Sequence, residues 1–260
     1  MSSSGRFVWY ELMTTDTKAA KAFYGKVAGY GTQDMPEMHY TMFTVDGSRG
    51  ARGLMELPED LRKMGVPPHW MGYVGVDDVD ASTEKAKSLG ATIQVAPQDI
   101  PTIGRFSVFS DPVGGAALAL FKPLPMPGGD PAPVEPGTPG GTGWHELYAA
   151  DGAKAFDFYS ALFGWKKFET MDMGPMGLYH IFGVSGADMP LGGMMTKPAE
   201  VPVPYWQYYI RVGPIEAATA RVKDAGGQVL MGPMEVPGGE WIIQGMDPQG
   251  AVFALVGAKG

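Results

Sequence analysis

The sequence predicts an α+β protein built as a tandem duplication, each half made of short strands and two helices. Three observations carry this prediction. First, WYELMTTDTKAAKAFYGKVAGY from Trp9 recurs as WHELYAADGAKAFDFYSALFGW from Trp144, which sets Trp9/Trp144, Glu11/Glu146, Asp16/Asp151 and Phe23-Tyr24/Phe158-Tyr159 all 135 residues apart. Internal repetition at a fixed offset is the signature of a duplicated fold. Second, the match continues in order. Tyr40, Phe43, Val45 and Gly47 pair with Tyr179, Phe182, Val184 and Gly186 at offset 139. Trp70, Tyr73, Val76, Gly90, Pro101, Asp111, Pro112 and Gly114 pair with Trp206, Tyr209, Val212, Gly226, Pro237, Asp247, Pro248 and Gly250 at offset 136. Third, KPLPMPGGDPAPVEPGTPGGTG separates the copies and has no apolar period, so it reads as a surface connector. The expected organisation is residues 5–122, a Pro/Gly-rich linker at 123–142, and residues 143–257.

The elements of one half follow in order. Phe7 to Thr14 alternates and is β-prone. Asp16 stands where an N-cap belongs, and Ala19, Phe23 and Val27 then recur every four residues until Gly29, which predicts an amphipathic helix. Tyr40–Val45 and the shorter Gly53–Leu57 read as strands, and Trp70–Val76 as a further one. Asp78 caps a second helix with Val79, Ala86 and Leu89 on its apolar face, stopped by Gly90. Strands follow around Thr92–Val95, Arg105–Phe109 and Ala116–Phe121, with a turn at Asp111-Pro112-Val113-Gly114. Each half is therefore itself two similar units.

Composition narrows the function. Hydrophobic residues make up 45% and charged residues 18% of 260 residues, a globular balance with enough chain for two cores. Glycine (38) and proline (23) are abundant, in keeping with many turns. The net charge is −8 with no Lys/Arg cluster, so a nucleic-acid surface is not expected. There is no cysteine, which removes disulfides, thiolate metal sites and cysteine nucleophiles. No apolar leader or 18-residue apolar run is present, so no membrane partner is expected and the expected compartment is cytoplasmic.

The first strand followed by Asp16…Phe23-Tyr24…Gly29-Tyr30, its copy Asp151…Phe158-Tyr159…Gly164-Trp165, the run Val76-Asp77-Asp78-Val79-Asp80, and the Asp-Pro-x-Gly turns at Asp111 and Asp247 together resemble the vicinal oxygen chelate superfamily of glyoxalases, bleomycin-resistance proteins and extradiol dioxygenases. The resemblance spans both halves and implies paired βαβββ modules whose curved mixed sheets surround a cleft. In its metal-dependent members, His, Glu or Gln on the first, fourth, fifth and last strands hold the ion. Carried over, these positions fall on Trp9, Met71 and Leu118 in one half, on Trp144, Gln207 and Ala254 in the other, and near Glu56 and Met195 on the fourth strands. Indole, thioether and methyl groups do not ligate a hard divalent ion. No cofactor is expected, with a divalent metal as the alternative. A one-residue slip at Gly114-Gly115 would replace Leu118 by Ala119.

By alternation, the cleft face implied by the resemblance carries Trp9, Glu11 and Met13, then Met71 and Tyr73, in one half. It carries Trp144, Glu146 and Tyr148, then Gln207, Tyr209 and Arg211, in the other. Such a face suits a flat apolar molecule with a polar edge. Glu11 and Glu146 are candidate bases, since desolvation raises a carboxyl pKa. The competing reading makes them scaffold carboxylates, neutralised by Arg211 for Glu146 and by Arg105 or Arg52 for Glu11. His180 is the remaining candidate base; His145 reads as structural, on the opposite side of its strand from Trp144. Three functions compete: metal-independent binding of, or action on, an apolar or aromatic compound; a metal-dependent lyase or dioxygenase; and a non-catalytic interaction module. The expected partner is a small molecule. The duplication predicts a monomer with an internal pseudo-dimer, a homodimer being the alternative.

Overall fold

Alternation sets the first strand: Leu12 turns into the core while its neighbours Glu11 and Met13 take the other face. In the computed structural model, residues 4–47, 49–125, 134 and 137–260 are described; half of the linker, at 126–133, 135 and 136, lies outside them. The first half runs β1 (Phe7–Thr14), α1 (Thr17–Ala28), β2 (Gly31–Met35), β3 (Tyr40–Val45), β4 (Arg49–Glu56), a short α2 (Glu59–Lys63), β5 (His69–Gly75), α3 (Val79–Ser88), β6 (Thr92–Ile100), β7 (Gly104–Ser110) and β8 (Ala117–Pro123). The second runs β9 (Thr142–Ala149), α4 (Gly152–Phe163), β10 (Lys166–Asp172), β11 (Leu178–Gly183), β12 (Gly192–Thr196), β13 (Tyr205–Arg211), α5 (Ile215–Asp224), β14 (Gln228–Glu235), β15 (Trp241–Met246) and β16 (Val252–Gly257).

Helix ends obey local chemistry. Asp16 Oδ1 accepts from the Ala19 amide at 2.9 Å and Gly29 closes α1 at φ 75°. Asp151 and Gly164 do the same for α4. Two differences from the sequence reading share a cause. β2 has the polar sequence Gly-Thr-Gln-Asp-Met and only half-buried or exposed positions. β6 continues to Ile100 through Pro97. Both strands end their runs of the sheet, where one side of the backbone lacks a strand partner. Such positions tolerate proline and carry no apolar alternation for a sequence to display.

The strands form two mixed sheets of eight. One contains the runs β2-β3-β4-β1 and β5-β8-β7-β6; the other contains β10-β11-β12-β9 and β13-β16-β15-β14. Among the described residues no helix is long and apolar enough to cross a membrane.

Contacts gather the chain into two units that do not follow sequence order. One combines Trp9–Trp70 with Gln207–Gly260, and so the first module of one half with the second module of the other. The complementary unit combines the segment from Met71 to the linker with His145–Trp206. Within the first of these, Leu12, Phe23, Tyr24 and Val27 bury against Ile215, Val222, Phe253 and Leu255. Buried at the centre, Tyr24 Oη donates to Asp247 Oδ2 at 3.0 Å and accepts from Trp70 Nε1 at 3.1 Å. The other oxygen of Asp247 accepts the amides of Gln249 and Ala251 inside its own turn. The second unit repeats the device. Tyr159 Oη donates to Asp111 Oδ2 at 3.0 Å and accepts from Trp206 Nε1 at 3.1 Å, while Asp111 Oδ1 accepts the amides of Val113 and Gly114. The Asp-Pro-x-Gly residues therefore hold their turns and also anchor a tyrosine from the opposite half.

Burial raises the Asp247 carboxyl above its ordinary value, and the bond from Tyr24 acts the other way, favouring the charged form. Removing that donor in Tyr24→Phe leaves both Asp247 Oδ2 and Trp70 Nε1 short of a partner. We expect a loss of about 1–3 kcal/mol by denaturant unfolding at pH 7. Without the donor the folded-state pKa rises further above the unfolded one, so the deficit is full above the Asp247 range and shrinks as pH falls through it. A deficit that is flat between pH 7 and pH 4 would contradict this role.

Candidate functional site

The residues on one side of β1 and β9 converge on two matching constellations. In one unit, Glu11 lies opposite Gly53 of β4 in register, and the carboxylate is 7% exposed. Tyr40 of β3 lies over Gly53: a Cβ there would stand 1.7 Å from Tyr40 Oη and 3.0 Å from Trp9 Nε1, which is why the position is glycine. Trp9 Nε1 donates to Tyr40 Oη at 2.9 Å, and the Tyr40 hydroxyl is hydrogen-bonded to Glu11. Burial, then the charge of Glu11, push the Tyr40 phenol well above its usual value. Met13 and Met55, opposite one another in register, continue this face.

The other unit holds the counterpart. Glu146, also 7% exposed, lies opposite Gly193 of β12, and the Tyr179 ring covers that glycine, within 2.1 Å of where a Cβ would be. Tyr205 stacks on Tyr148 with centroids 5.4 Å apart, and burial followed by the charge of Glu146 raises its phenol. Met195, opposite Tyr148, is buried there. In the same unit Met71 and Tyr73 are buried on β5, with Tyr73 edge-on to Phe121 at 6.0 Å.

The remaining candidates separate. His180 does not join Glu146: it lies between Tyr179 and Ile181 and turns to the opposite side, where its ring is 6.3 Å from Phe156 of α4 and Nδ1 is 3.2 Å from Thr170 Oγ1. Its pKa is lowered by burial and then by Lys167. His145 Nδ1 is bonded to the Leu191 carbonyl, and its ring stacks on Phe7 at 4.0 Å. The three arginines named as partners for the glutamates are engaged elsewhere. Arg211 pairs with Glu240, and Arg105 with Asp80 and Asp99. Arg52 donates to Tyr30 Oη and Thr142 Oγ1 and lies over the rings of Tyr10 and Trp70. On β13, Gln207 and Tyr209 are buried, and Tyr209 Oη accepts from Gln244 Nε2 of β15 at 3.0 Å. Trp144 packs at the edge of the apolar cluster around Tyr209 and Ala254.

Tyr40, Tyr179, Tyr205, Gln244 and the two glycines did not emerge as site residues from sequence alone. Tyr40 and Tyr179 were visible as repeat partners. The missing signal was Gly53 with Gly193, since a glycine shared by two copies in mid-strand marks a close approach.

With this geometry in place, comparison with known proteins is decisive for family. The model of the Glyoxalase/Bleomycin resistance protein/Dioxygenase superfamily matches residues 6–120 and again 141–255. The chain belongs to that superfamily. It is 32% identical to "Putative glyoxylase CFP32" of Mycobacterium tuberculosis, across 95% of this chain and 93% of that one. It is 30% identical to anthracycline biosynthesis protein DnrV of Streptomyces peucetius, across 97% and 93%. Among solved structures, the Mn(II)-bound glyoxalase of Novosphingobium aromaticivorans superposes with a TM-score of 0.66 at 15% identity, covering 100% of this chain and 84% of that one. The 2,2',3-trihydroxybiphenyl 1,2-dioxygenase of Sphingomonas wittichii gives 0.68 at 16%, covering 98% and 91%. At these identities the structures speak for fold alone.

Register tests whether the residues here fit the metal of the family's metal-dependent members. β5 and β8 pair Tyr73 with Ala119, as β13 and β16 pair Tyr209 with Ala254. The last-strand position in the first half is therefore Ala119, and Leu118 lies opposite Phe109, fully buried. On the fourth strands Met55 corresponds to Met195, because Tyr40 and Tyr179 pair with them. Glu56 is exposed and faces Arg62. Over the two halves, the positions that the family uses for ligands are thus taken by Trp9 and Trp144, Met55 and Met195, Met71 and Gln207, and Ala119 and Ala254. One amide among eight side chains is not a donor set for a divalent ion. Among the described residues no three His, Asp or Glu side chains converge as metal ligands.

Two outcomes follow for this face. A methyl at Gly53 or Gly193 has to displace a packed tyrosine, so Gly53→Ala or Gly193→Ala should cost roughly 1–3 kcal/mol in denaturant unfolding. Tyr10, Tyr24, Tyr30, Tyr40 and Tyr205 all have raised phenols, Tyr10 to about 12, with burial the largest cause in each. A pKa raised by folding contributes stability that is present below the unfolded value and lost as pH rises through the folded one. Titration followed at 295 nm should leave Tyr10, Tyr40 and Tyr205 protonated at pH 10.5, then ionise them together with unfolding. Full ionisation at pH 10.5 with the fold intact would contradict the burial described.

Proposed function

We propose that the protein binds a small planar ring compound without the family metal, using the aromatic faces that carry Glu11 and Glu146. The observation that supports this most directly is the repeated constellation of a buried glutamate, a glycine seat and a tyrosine over it. It keeps a carboxylate in a largely apolar wall and next to a phenol, in both halves. Such a carboxylate accepts a hydrogen bond from a ligand hydroxyl, and takes its proton where the chemistry requires a base. Trp9, Met71, Tyr73, Trp144, Tyr148, Gln207, Tyr209 and Arg211 form the walls around the two glutamates in this reading, and His180 has no part in it. The name of the Streptomyces peucetius relative, an anthracycline biosynthesis protein, agrees with a polycyclic aromatic ligand class.

Binding of 2-naphthol, 2-methoxynaphthalene and 9,10-anthraquinone to the full chain tests the proposal through thermal shift and quenching of the tryptophans. We expect a saturable shift with at least one ring compound, unchanged by EDTA, and weakened in Glu11→Gln or Glu146→Gln. No shift with any of them, or stoichiometric tightly held metal whose removal abolishes binding, would overturn it. The latter result would favour a metal-dependent lyase of the kind that the name of the mycobacterial relative suggests.

A further inference from the structure

Gln207 is 2% exposed, and its Oε1 has no hydrogen-bond partner. A buried amide oxygen left in this state costs about 1–3 kcal/mol, so such groups are almost always satisfied by a protein group, water or ligand. The surroundings of Gln207 are built rather than incidental. Gln207 and Tyr209 alternate on one face of β13. Tyr209 lies beside Ala254 of β16, and Ala254 lies beside Gln244 of β15. The small Ala254 leaves room for Gln244 Nε2 to reach Tyr209 Oη at 3.0 Å across it. Around this polar strip stand Ile242 and Val256, with half-buried Trp144, Met231 and Val236 at the margin. At the far end of the strand face, Arg211 is held by Glu240 and so does not neutralise the strip.

The first half keeps only part of this. Register places Met71, Tyr73, Val108 and Ala119 where the second half has Gln207, Tyr209, Gln244 and Ala254. The tyrosine and the alanine are kept, and both amides are replaced by apolar side chains. Among their uncharged side chains, the duplicated faces therefore differ by two amides, present in the second half and replaced in the first.

We infer that the β13–β16–β15 face of the second half is a donor-reading subsite, in which Gln207 Oε1 accepts a hydrogen bond from a hydroxyl or N–H on the edge of a neutral planar ligand. Tyr209 and Gln244 position that edge, and the corresponding face of the first half takes only the apolar body of such a compound. The inference rests on the ligand-binding reading above and adds which half discriminates and what it discriminates. A site built to satisfy a buried polar group rejects the analogue that lacks the matching group far more strongly than an apolar wall can.

Calorimetric titration of the full chain with 2-naphthol and with 2-methoxynaphthalene tests this, since the ether keeps the ring and the oxygen but has no donor. At pH 7 the unmodified protein should bind 2-naphthol at least about tenfold tighter. Gln207→Met, which installs the side chain of the first half, should lower this preference several-fold by weakening 2-naphthol. Met64→Leu, at an exposed position away from both faces, should leave the preference intact. Should Gln207→Met lose its cooperative thermal transition, Gln244→Met serves in its place and should lower the preference. Equal binding of the two probes by the unmodified protein, binding of neither while 9,10-anthraquinone binds, or a preference that neither substitution lowers overturns the inference while ring binding stands. Binding of none of the three ring compounds overturns the broader ligand reading, and this inference with it.

Discussion

Two buried hydrogen bonds, Tyr24 to Asp247 and Tyr159 to Asp111, are the interactions on which the rest of the structure depends. Each joins a helix of one half to a turn of the other. Each is completed by an indole, Trp70 or Trp206, donating to the same phenol. The turn aspartate gives one oxygen to its own backbone and the other to the tyrosine, so the local shape of the turn and the union of the two modules are set by one side chain. Cross-half helix contacts reinforce the pattern. Arg221 donates to the Val27 carbonyl at the end of α1, and Lys85 to the Leu162 carbonyl at the end of α4. Cations at helix C-termini satisfy carbonyls that have no partner within the helix.

The duplication then explains the functional faces. With α1 and α5 packed into a shared apolar core in one unit, the opposite side of each strand run is released from core duty. On that side Trp9, Glu11 and Tyr40, and separately Glu146, Tyr148, Tyr179 and Tyr205, form polar clusters in aromatic surroundings. The two copies keep the glutamate, the glycine seat and the tyrosine over it. They diverge on β5 and β13, where Met71 stands at the position that Gln207 takes in the other copy. The copies therefore keep a shared backbone device, while the same duplication leaves a thioether in one and an amide in the other on the strand beside it.

Much of this was legible in the sequence because its causes are local. β1, the caps at Asp16 and Asp151, and the turns at Asp111 and Asp247 follow from alternation and side-chain chemistry within a few residues. β2 and the far half of β6 were hidden because run-ending strands need no apolar face. The union of modules from opposite halves was equally hidden, because sequence offset says which segments are alike and is silent on which of them touch. At the site, the glutamates and flanking aromatics were readable from alternation. The exchange of Leu118 for Ala119 turned on a one-residue register at Gly114-Gly115, which only strand pairing resolves. The side of the strand that His180 takes was not readable either, and its neighbour Tyr179 is the one that covers Gly193.

Because the core of a unit draws on both sequence halves, neither half should fold completely on its own. Producing residues 1–125 and 137–260 as separate chains and following each by sedimentation and thermal unfolding reads this out. We expect each half alone to lack a cooperative monomeric transition, either remaining unfolded or pairing with a second copy of itself, and an equimolar mixture to form a 1:1 complex that unfolds cooperatively. A first half that is monomeric and unfolds cooperatively near the midpoint of the full chain would contradict the account.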